Sequence, residues 1–176
     1  MLLLDTYLNL YTSPNQSQQI MYFLKKYTNK TDIITDATAG IGGNSISFCK
    51  YYSFSFIIDQ NEKCIEYLNH NLNNYDNKLI INDNCLDILK IINTDVIFFD
   101  PPWGGSNYKT LESVNLNLND IPIHIIIDSF YKYCKVIALK APINYSIKHS
   151  EFWNIEQHNI YKNNDNVNFK LIIYYK

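Results

Sequence analysis

Short apolar segments alternate with amphipathic segments along most of the chain, and this alternation constrains the fold more than any other feature. Residues 32–37, 54–58, 79–81, 96–99 and 136–139 are mostly apolar runs of strand length. Apolar residues at helical spacing predict helices that begin at Pro14 and cover residues 44–52, 62–73 and 121–134. Because strands that alternate with helices form parallel sheets, the chain is predicted to be an α/β protein.

The C-terminal part of the chain has a different pattern. Residues 153–156 and 169–175 are two further strand candidates, separated by the polar turn NNDN at residues 163–166. A closing hairpin of this kind suits an antiparallel edge on a parallel sheet. Neither an internal repeat nor a linker divides the 176 residues. We therefore predict one domain over residues 1–176, built on a mostly parallel seven-stranded sheet with an antiparallel C-terminal hairpin.

The composition narrows the possible functions. No window approaches 18 uninterrupted apolar residues, so no membrane span is predicted. The cysteines lack a CxxC pair and a histidine at metal-ligand spacing, which predicts buried, reduced thiols in an intracellular protein and no metal site. The formal net charge of -2 argues against a long nucleic-acid footprint, although a single modified nucleotide could still bind. All 15 cationic side chains are lysines, so phosphate contacts must come from Lys or backbone amides.

A glycine-rich loop, TAGIGG at residues 38–43, lies between a predicted strand and a predicted helix. Glycine permits positive φ and close approach of a ligand, and the helix N-terminus offers free N–H groups. Asp59 ends the next strand about 20 residues after Asp36, the spacing at which an acid meets a ribose hydroxyl in dinucleotide folds. Both NAD and S-adenosylmethionine fit this arrangement. The structural alternative is that Asp59 caps the helix beginning near Asn61.

The sequence Asp100-Pro101-Pro102-Trp103 directly follows the fourth predicted strand. This motif resembles that of the amino-methyltransferases, which methylate exocyclic amines of adenine, cytosine, guanine or glutamine. Two prolines fix φ and remove two backbone donors, which leaves carbonyl groups to accept hydrogen bonds from an NH2 group. Asp100 can accept from the same amine, and the Trp103 ring offers a stacking surface. Methyl transfer to a nitrogen held in this way depends mainly on positioning.

The continuation of the motif into Gly104-Gly105 resembles the trimethylguanosine synthase family, the cap hypermethylases. The similarity runs from about Leu4 to Tyr175. Residues 36–44 (DATAGIGGN) are similar to the family's Asp-Ala-Phe-Cys-Gly-Val-Gly-Gly-Asn loop. Leu4-Asp5 together with residues 11–14 resembles a family segment that touches the cofactor. Three weaker similarities involve Ile58-Asp59, the pair Pro142 and Asn144, and residues 169–175 of the last strand.

This resemblance implies a Rossmann-like class I methyltransferase fold, the cofactor S-adenosyl-L-methionine and a 7-methylguanosine-capped RNA as substrate. The implied catalytic residues are Asp100, Pro101 and Trp103. The implied cofactor-binding residues are Ser13, Asp36, Thr38, Gly40, Gly42, Asn44, Asp59, Asp83 and Asn84. The implied substrate-binding residues are Pro102, Trp103, Gly104, Lys109, Lys140 and Asn144, with no metal.

The resemblance also assigns roles. Asp100 orients the N2 amine of the cap together with the Pro101 carbonyl, and Trp103 stacks on the cationic 7-methylguanine ring. Asp59 holds the ribose hydroxyls, and Asp83 or Asn84 meets the adenine amine. The methionine part is framed by Asp36, Gly40 and Gly42. Cap phosphates are assigned to Lys109 and Lys140, for which the structural alternative is a solvated surface lysine.

The chain departs from the family pattern at three points. The family often has Ser at the position of Asp100, and Ser106 replaces the Pro that usually follows Gly-Gly. The third departure is that the similarity begins where the helical N-terminal extension of the family would end. Because that extension contacts substrate and cofactor, we expect 2,7-dimethylguanosine as a product at which the reaction can stop short of 2,2,7-trimethylguanosine.

Two other functions remain open at this level. An N6-adenine or other amino-methyltransferase on nucleic acid would use the same fold and motif, although a base-flipping enzyme is expected to carry a basic face. A catalytically weak cap-binding module would keep the fold without turnover. The Asn-, Ile-, Tyr- and Lys-rich composition is typical of an AT-rich genome and fits a viral origin. We also expect a monomer, located in the cytoplasm or nucleus, or in the host cytoplasm if the protein is viral.

Overall fold

The structure is a computed structural model, and it describes residues 11–163 and 165–176. Within them the α-helices are α1 (Pro14–Leu24), α2 (Ser45–Tyr51), α3 (Glu62–Asn71), α4 (Cys85–Ile88) and α5 (Ile123–Ser129). The strands are β1 (Ile33–Asp36), β2 (Phe54–Asp59), β3 (Lys78–Asn82), β4 (Val96–Phe99), β5 (Asn117–Leu118), β6 (Ile121–Pro122), β7 (Val136–Ala141), β8 (Asn154–Asn163) and β9 (Asn166–Tyr175). A 3-10 helix covers Ser106–Thr110.

Seven of these strands form one sheet in the order β3-β2-β1-β4-β7-β9-β8. The first five are mutually parallel, whereas β9 runs antiparallel to both β7 and β8. The prediction of a mostly parallel seven-stranded sheet with an antiparallel C-terminal hairpin is therefore confirmed. The strand order reverses between β1 and β4, and in open α/β sheets ligands bind at such a point, beyond the carboxyl ends of the strands.

Strand β4 shows why the core has two halves. Its four residues are all fully buried, and they alternate between the two faces of the sheet. Val96 and Phe98 pack in the cluster formed with α1 and α2, while Ile97 and Phe99 pack in the cluster formed with α4 and α5. Burial of a phenylalanine side chain of this size contributes roughly 1.5–3 kcal/mol. Helices cover both faces, so the central strands β1, β4 and β7 are almost completely buried, whereas the edge strand β3 is only partly buried.

The helix predicted over residues 121–134 is wrong at both ends. Its first two residues, Ile121 and Pro122, form β6 and pair antiparallel with β5. The two strands are joined by Asn119 and Asp120, whose φ angles of 50° and 63° are those of a tight two-residue hairpin turn. The helix therefore begins only at Ile123 and ends at Ser129.

Helix α1 is held at its start and along its length. Ser13 forms a capping box: its hydroxyl accepts from the Gln16 N–H at 3.4 Å, and the Gln16 side chain accepts from the Ser13 N–H at 3.1 Å. Farther along, the Gln19 amide bonds both the N–H and the C=O of Tyr161, each at 3.0 Å. Helix α1 is thereby joined to β8 of the closing hairpin.

The segment before α1 lies directly against the glycine-rich loop. A Cβ added at Gly43 would meet the Thr12 carbonyl oxygen at 2.7 Å and the Thr12 nitrogen at 3.1 Å. We expect Gly43→Ala to lower the free energy of unfolding by ~1–3 kcal/mol, because neither backbone can yield without moving the Thr12 segment. Urea denaturation measures the loss, and hydrogen exchange at the start of α1 should increase.

Gly105→Ala is the matched control for this variant. Gly105 has φ +82, but a Cβ there would meet nothing within 4 Å. Its cost is therefore conformational and local, about 1–3 kcal/mol, and hydrogen exchange at α1 should stay unchanged. Unchanged exchange at α1 in Gly43→Ala would contradict the steric argument.

Cys49, Cys64, Cys85 and Cys134 are all buried. Among the residues that the structure describes, no group of three or more His, Cys, Asp or Glu side chains could hold a metal ion. No helix in residues 11–163 and 165–176 has the length and apolarity needed to cross a membrane.

Candidate active site

Three carboxylates predicted from sequence lie at the carboxyl edge of adjacent strands. Asp36 is the last residue of β1, Asp59 is the last residue of β2, and Asp100 directly follows β4. Because β1 lies between β2 and β4, the three side chains share the crevice where the strand order reverses. Their proximity has an electrostatic effect, since Asp59 and Asp100 both raise the pKa of Asp36.

The Asp36 carboxylate is the most deeply buried of the three, with 1% of the residue exposed. One oxygen accepts from the Ser45 hydroxyl at 2.6 Å, while the other makes no hydrogen bond to any residue that the structure describes. Burial is the main cause that raises the pKa of Asp36 to about 7; the Ser45 hydrogen bond and Lys140 act in the opposite direction. Asp36 therefore has an unused acceptor and would gain from a cationic ligand.

The Asp59 carboxylate shapes the glycine-rich loop. One oxygen accepts from the Gly40 N–H at 2.8 Å and the other from the Asn61 N–H at 2.9 Å. Burial raises the pKa of Asp59, and these hydrogen bonds lower it. The N-cap of α3 is Asn61, whose side chain accepts from the Lys63 N–H. The alternative that Asp59 itself caps this helix is therefore wrong.

Gly40 leaves room for a ligand beside this carboxylate. It has φ +56, and a Cβ built there would meet no heavy atom within 4 Å. Gly42 also has a positive φ, of +93, but a Cβ built there would lie 3.1 Å from the Leu68 side chain. The core side chains therefore leave no room for a ligand at Gly42. The loop thus presents open backbone at Gly40 and packs against α3 at Gly42. The Asp36 oxygen without a hydrogen bond and the unobstructed backbone at Gly40 fit the methionine part of S-adenosylmethionine.

Three other predicted cofactor residues use their side chains inside the protein. The Thr38 hydroxyl accepts from the Asp100 N–H at 2.7 Å, which joins the glycine-rich loop to the Asp-Pro-Pro-Trp segment. Asn44 donates from its amide to the Thr12 hydroxyl at 3.1 Å. Ser13 caps α1, as described above. Thr38 and Asn44 thus hold the glycine-rich loop to its neighbours, whereas Ser13 holds the start of α1.

Asp83 and Asn84 lie after β3, next to the end of β2. The Asn84 side-chain oxygen accepts from the Leu86 N–H at 3.1 Å and from the Asn119 amide at 2.9 Å, so it caps α4 and holds the β5–β6 turn. Asp83 is exposed and accepts from the Asn84 N–H at 2.7 Å. Of the two residues, Asp83 is the more available to a ligand.

The Asp-Pro-Pro-Trp segment places an aromatic ring at the edge of both core halves. Pro101 is buried, Pro102 is exposed, and Trp103 is half-buried. The Trp103 ring meets Tyr108 and Phe169 edge-on, with centroids 5.2 Å and 6.3 Å away. The chain then turns through Gly104 and Gly105, whose φ angles of +87° and +82° favour glycine.

Asn144 and Lys109 support and border this segment. The Asn144 amide donates to the carbonyl groups of Tyr108 at 2.8 Å and Leu111 at 2.7 Å, so it fixes the loop that follows Trp103. Lys109 is exposed, with its Nζ 5.9 Å from the Tyr108 ring centroid. Lys109 is thus accessible to a phosphate near the tryptophan.

Lys140 has a different environment from the one expected. It is only 5% exposed, so the solvated-surface alternative is wrong for this residue. Its Nζ donates to the Asp100 carboxylate at 2.6 Å and to the Thr12 hydroxyl at 2.9 Å. A cap phosphate would have to compete with Asp100 for the ammonium. Sequence reasoning missed Thr12 as a partner, and the available signal was a lysine inside the otherwise apolar β7 strand.

Comparison with known proteins finds similarity over most of the chain. Residues 31–175 match the family described as RNA cap guanine-N2 methyltransferase. The chain is 35% identical over 120 residues to the uncharacterized protein L320 of Acanthamoeba polyphaga mimivirus, which covers 64% of this chain and 47% of that protein. It is 31% identical over 129 residues to the trimethylguanosine synthase of Schizosaccharomyces pombe, covering 66% and 53%. The chain therefore spans about half the length of these relatives.

Solved structures show the same fold at low sequence identity. A Streptococcus mutans protein in complex with SAH aligns with a TM-score of 0.63 at 14% identity, covering 94% of this chain and 99% of that one. An rRNA methylase from Streptococcus thermophilus aligns with a TM-score of 0.60 at 12% identity, covering 88% and 92%. The predicted class I methyltransferase fold is confirmed.

Proposed function

The chain belongs to the RNA cap guanine-N2 methyltransferase family, and we propose from this premise that it uses S-adenosyl-L-methionine to methylate the N2 amine of a 7-methylguanosine cap. The observation that carries the proposal is the pairing of a carboxylate with an aromatic ring. Asp100 and Trp103 both contact Lys140, whose Nζ lies 2.6 Å from an Asp100 oxygen and 5.5 Å from the Trp103 ring centroid. An amine acceptor and an aromatic ring thus lie next to the same ammonium group.

The cofactor side of this mechanism uses the edge of β1 and β2. When bound, S-adenosyl-L-methionine supplies an electrophilic methyl group on a cationic sulfur. Asp36 has the unused oxygen that suits the amino group of the methionine part. Asp59 can accept from ribose hydroxyls with its remaining lone pairs, and Asp83 is available to the adenine amine. Gly40 leaves open backbone between them.

The acceptor side uses the residues after β4. Trp103 stacks on the purine, and a cationic 7-methylguanine binds its electron-rich face better than guanine does. Asp100 accepts from the N2 amine, and the Pro101 carbonyl is a second acceptor for the same group. After transfer the nitrogen has one proton in excess, which the Asp100 carboxylate can take as a general base. Fixing the amine in line with the methyl group supplies most of the rate.

The test is to incubate the purified chain with S-adenosylmethionine and either 7-methyl-GTP or GTP, and to identify products by mass spectrometry. We expect methylation of 7-methyl-GTP alone, with 2,7-dimethyl product accumulating before any trimethyl product. Methylation of an adenine-containing oligonucleotide, without turnover of 7-methyl-GTP, would move the assignment to an N6-adenine methyltransferase. Binding of 7-methyl-GTP without turnover of any substrate would indicate a cap-binding module.

The protonation of Asp36 predicts a pH effect on cofactor binding. Its pKa of about 7 means that about half of the protein carries a neutral Asp36 at pH 7. A bound amino cation favours the carboxylate, so SAH binding should release up to about 0.5 proton at pH 7, and affinity should increase between pH 6 and 8. Calorimetry in two buffers of different ionisation enthalpy measures the release, and Asp36→Asn should abolish it.

The same group affects the stability of the unliganded protein. The folded pKa lies above the unfolded value, so the native state binds more protons between these two values. The stability associated with neutral Asp36 is therefore complete below pH ~4 and is lost as the pH rises through about 7. Proton uptake on SAH binding, or a pH-independent affinity, would contradict the assigned role of Asp36.

A further inference from the structure

Lys140 is a lysine inside the sheet. Strand β7 lies between β4 and β9, and every residue of the strand is buried. Moving an ammonium group out of water costs several kcal/mol unless its charge and its hydrogen bonds are compensated. Lys140 is compensated by one carboxylate, Asp100 at 2.6 Å, and one hydroxyl, Thr12 at 2.9 Å. Aromatic rings complete the surroundings, with the Phe169 centroid 4.8 Å and the Trp103 centroid 5.5 Å from Nζ.

We propose that Lys140 is a positioning residue for methyl transfer, which holds the Asp100 carboxylate in the orientation and charge state needed to receive the acceptor amine. This inference rests on the proposed function. Lys140 occupies one Asp100 oxygen and leaves the other for the amine. Burial raises the pKa of Asp100, and Lys140 opposes this increase, so the pair keeps the buried group an acceptor.

The same lysine connects the acceptor side with the cofactor loop. The Thr12 hydroxyl accepts from Lys140 and also from the Asn44 amide at 3.1 Å. Asn44 directly precedes α2 at the end of the glycine-rich loop. A continuous series of hydrogen bonds therefore runs from this loop through Thr12 and Lys140 to Asp100. Because the reacting atoms must meet at about 3–3.5 Å, a small displacement along this series would reduce the rate.

A double-mutant cycle distinguishes a lysine that acts through Asp100 from a lysine that only stabilises the fold. Lys140→Met removes the ammonium, and Asp100→Ser removes the carboxylate while it keeps a small polar side chain. We expect Lys140→Met to lower kcat on 7-methyl-GTP by about 100-fold, with the Kd of SAH changed by less than about threefold. In the Asp100→Ser background the same substitution should change kcat by less than about threefold. Multiplicative losses would overturn the proposal.

Lys135→Met is the matched control. Lys135 forms an ion pair of the same length, 2.6 Å, with Asp32 before the amino end of β1, remote from the crevice. This variant should keep kcat within about twofold of the wild type. Circular dichroism and urea denaturation identify any variant that fails to fold. If Lys140→Met does not fold, Lys140→Gln is used in its place. A loss of kcat in Lys135→Met equal to that in Lys140→Met would also overturn the proposal.

A second measurement does not require turnover. The Asp100 carboxyl can be followed by NMR in protein labelled with 13C-Asp and assigned with Asp100→Asn. Lys140→Met should raise the pKa of Asp100 by about one unit or more. The apparent pKa that describes the acidic limb of the kcat–pH profile should increase by the same amount. Asp36 and Asp59 also face this crevice and titrate in the unliganded protein, so their signals are assigned separately.

The two measurements separate this inference from the proposed function. An unchanged pKa of Asp100 in Lys140→Met overturns the positioning role even if 7-methyl-GTP is a substrate. If the wild type does not turn over 7-methyl-GTP, the proposed function fails. The NMR titration then still decides whether Lys140 controls Asp100.

Discussion

Trp103→Ala is expected to lower kcat/KM for 7-methyl-GTP by about 100-fold and to remove the preference for 7-methyl-GTP over GTP, because stacking contributes ~1–3 kcal/mol and cation–π attraction up to ~2 kcal/mol. The preference for 7-methyl-GTP over GTP depends on the positive charge of the 7-methylguanine ring. Among aromatic side chains, the face of a tryptophan attracts a cation most strongly. Trp103 is half-buried at the edge of the crevice, so the substitution removes this face directly.

Two variants control for the packing that Trp103 also provides. The ring contacts Tyr108 and Phe169, so Trp103→Ala will also reduce stability. Trp103→Phe keeps an aromatic face and should keep part of the preference. Trp153→Ala removes the other tryptophan, which is buried against the Ile127 carbonyl away from the crevice, and it should reduce stability while the preference remains. An intact preference in Trp103→Ala would contradict the stacking role.

Asp59→Ala is expected to weaken SAH binding by about 100-fold, which corresponds to ~2.7 kcal/mol. Hydrogen bonds from ribose hydroxyls to a carboxylate contribute ~1.5–3 kcal/mol each. The substitution also releases the Gly40 N–H, which now donates to Asp59 at 2.8 Å and fixes the glycine-rich loop. Calorimetric titration with SAH measures the loss.

The controls for Asp59→Ala separate charge, loop geometry and general surface effects. Asp59→Asn keeps one acceptor oxygen and should weaken SAH binding by about tenfold. Asp87→Ala removes an exposed carboxylate that forms a surface ion pair with Lys90, and it should leave SAH affinity unchanged. If Asp59→Ala and Asp87→Ala bind SAH equally well, Asp59 has no part in the cofactor site.

The central parallel strands could be predicted because they are almost completely buried. The β4 strand was predicted with its observed bounds, since four consecutive apolar residues buried on both faces leave no other interpretation at that length. The ends of these strands then place Asp36, Asp59 and Asp100 at one edge by topology alone. This part of the crevice follows from sequence because it depends on chain order and not on side-chain contacts.

The small β5–β6 hairpin could not be predicted from apolar periodicity. Its strands have only two residues each, and its turn depends on positive φ at Asn119 and Asp120. Both residue types also occur in ordinary loops. The Asn-Asp dipeptide beside Pro122 was the only local signal that the helix begins later.

The pairing of Lys140 with Asp100 and Thr12 was also beyond sequence reasoning. A lysine in an apolar strand indicates that a compensating group exists, but it does not identify that group. Asp100 lies 40 residues away and Thr12 lies 128 residues away. Only the sheet order, which places β7 beside β4, brings the three residues together.

These separations also affect how the site assembles during synthesis. Thr12 leaves the ribosome early, whereas Lys140 leaves it 128 residues later, and the Gln19 contact with Tyr161 spans 142 residues. Such a contact cannot form before both partners have been synthesised. It then forms slowly, because closing a long loop costs conformational entropy. The nascent chain can thus build the cofactor edge from β1, β2 and α2 first. The contacts of Asp100 become complete only after β7 has been translated, so termination before β7 leaves the Asp100 carboxylate without Lys140.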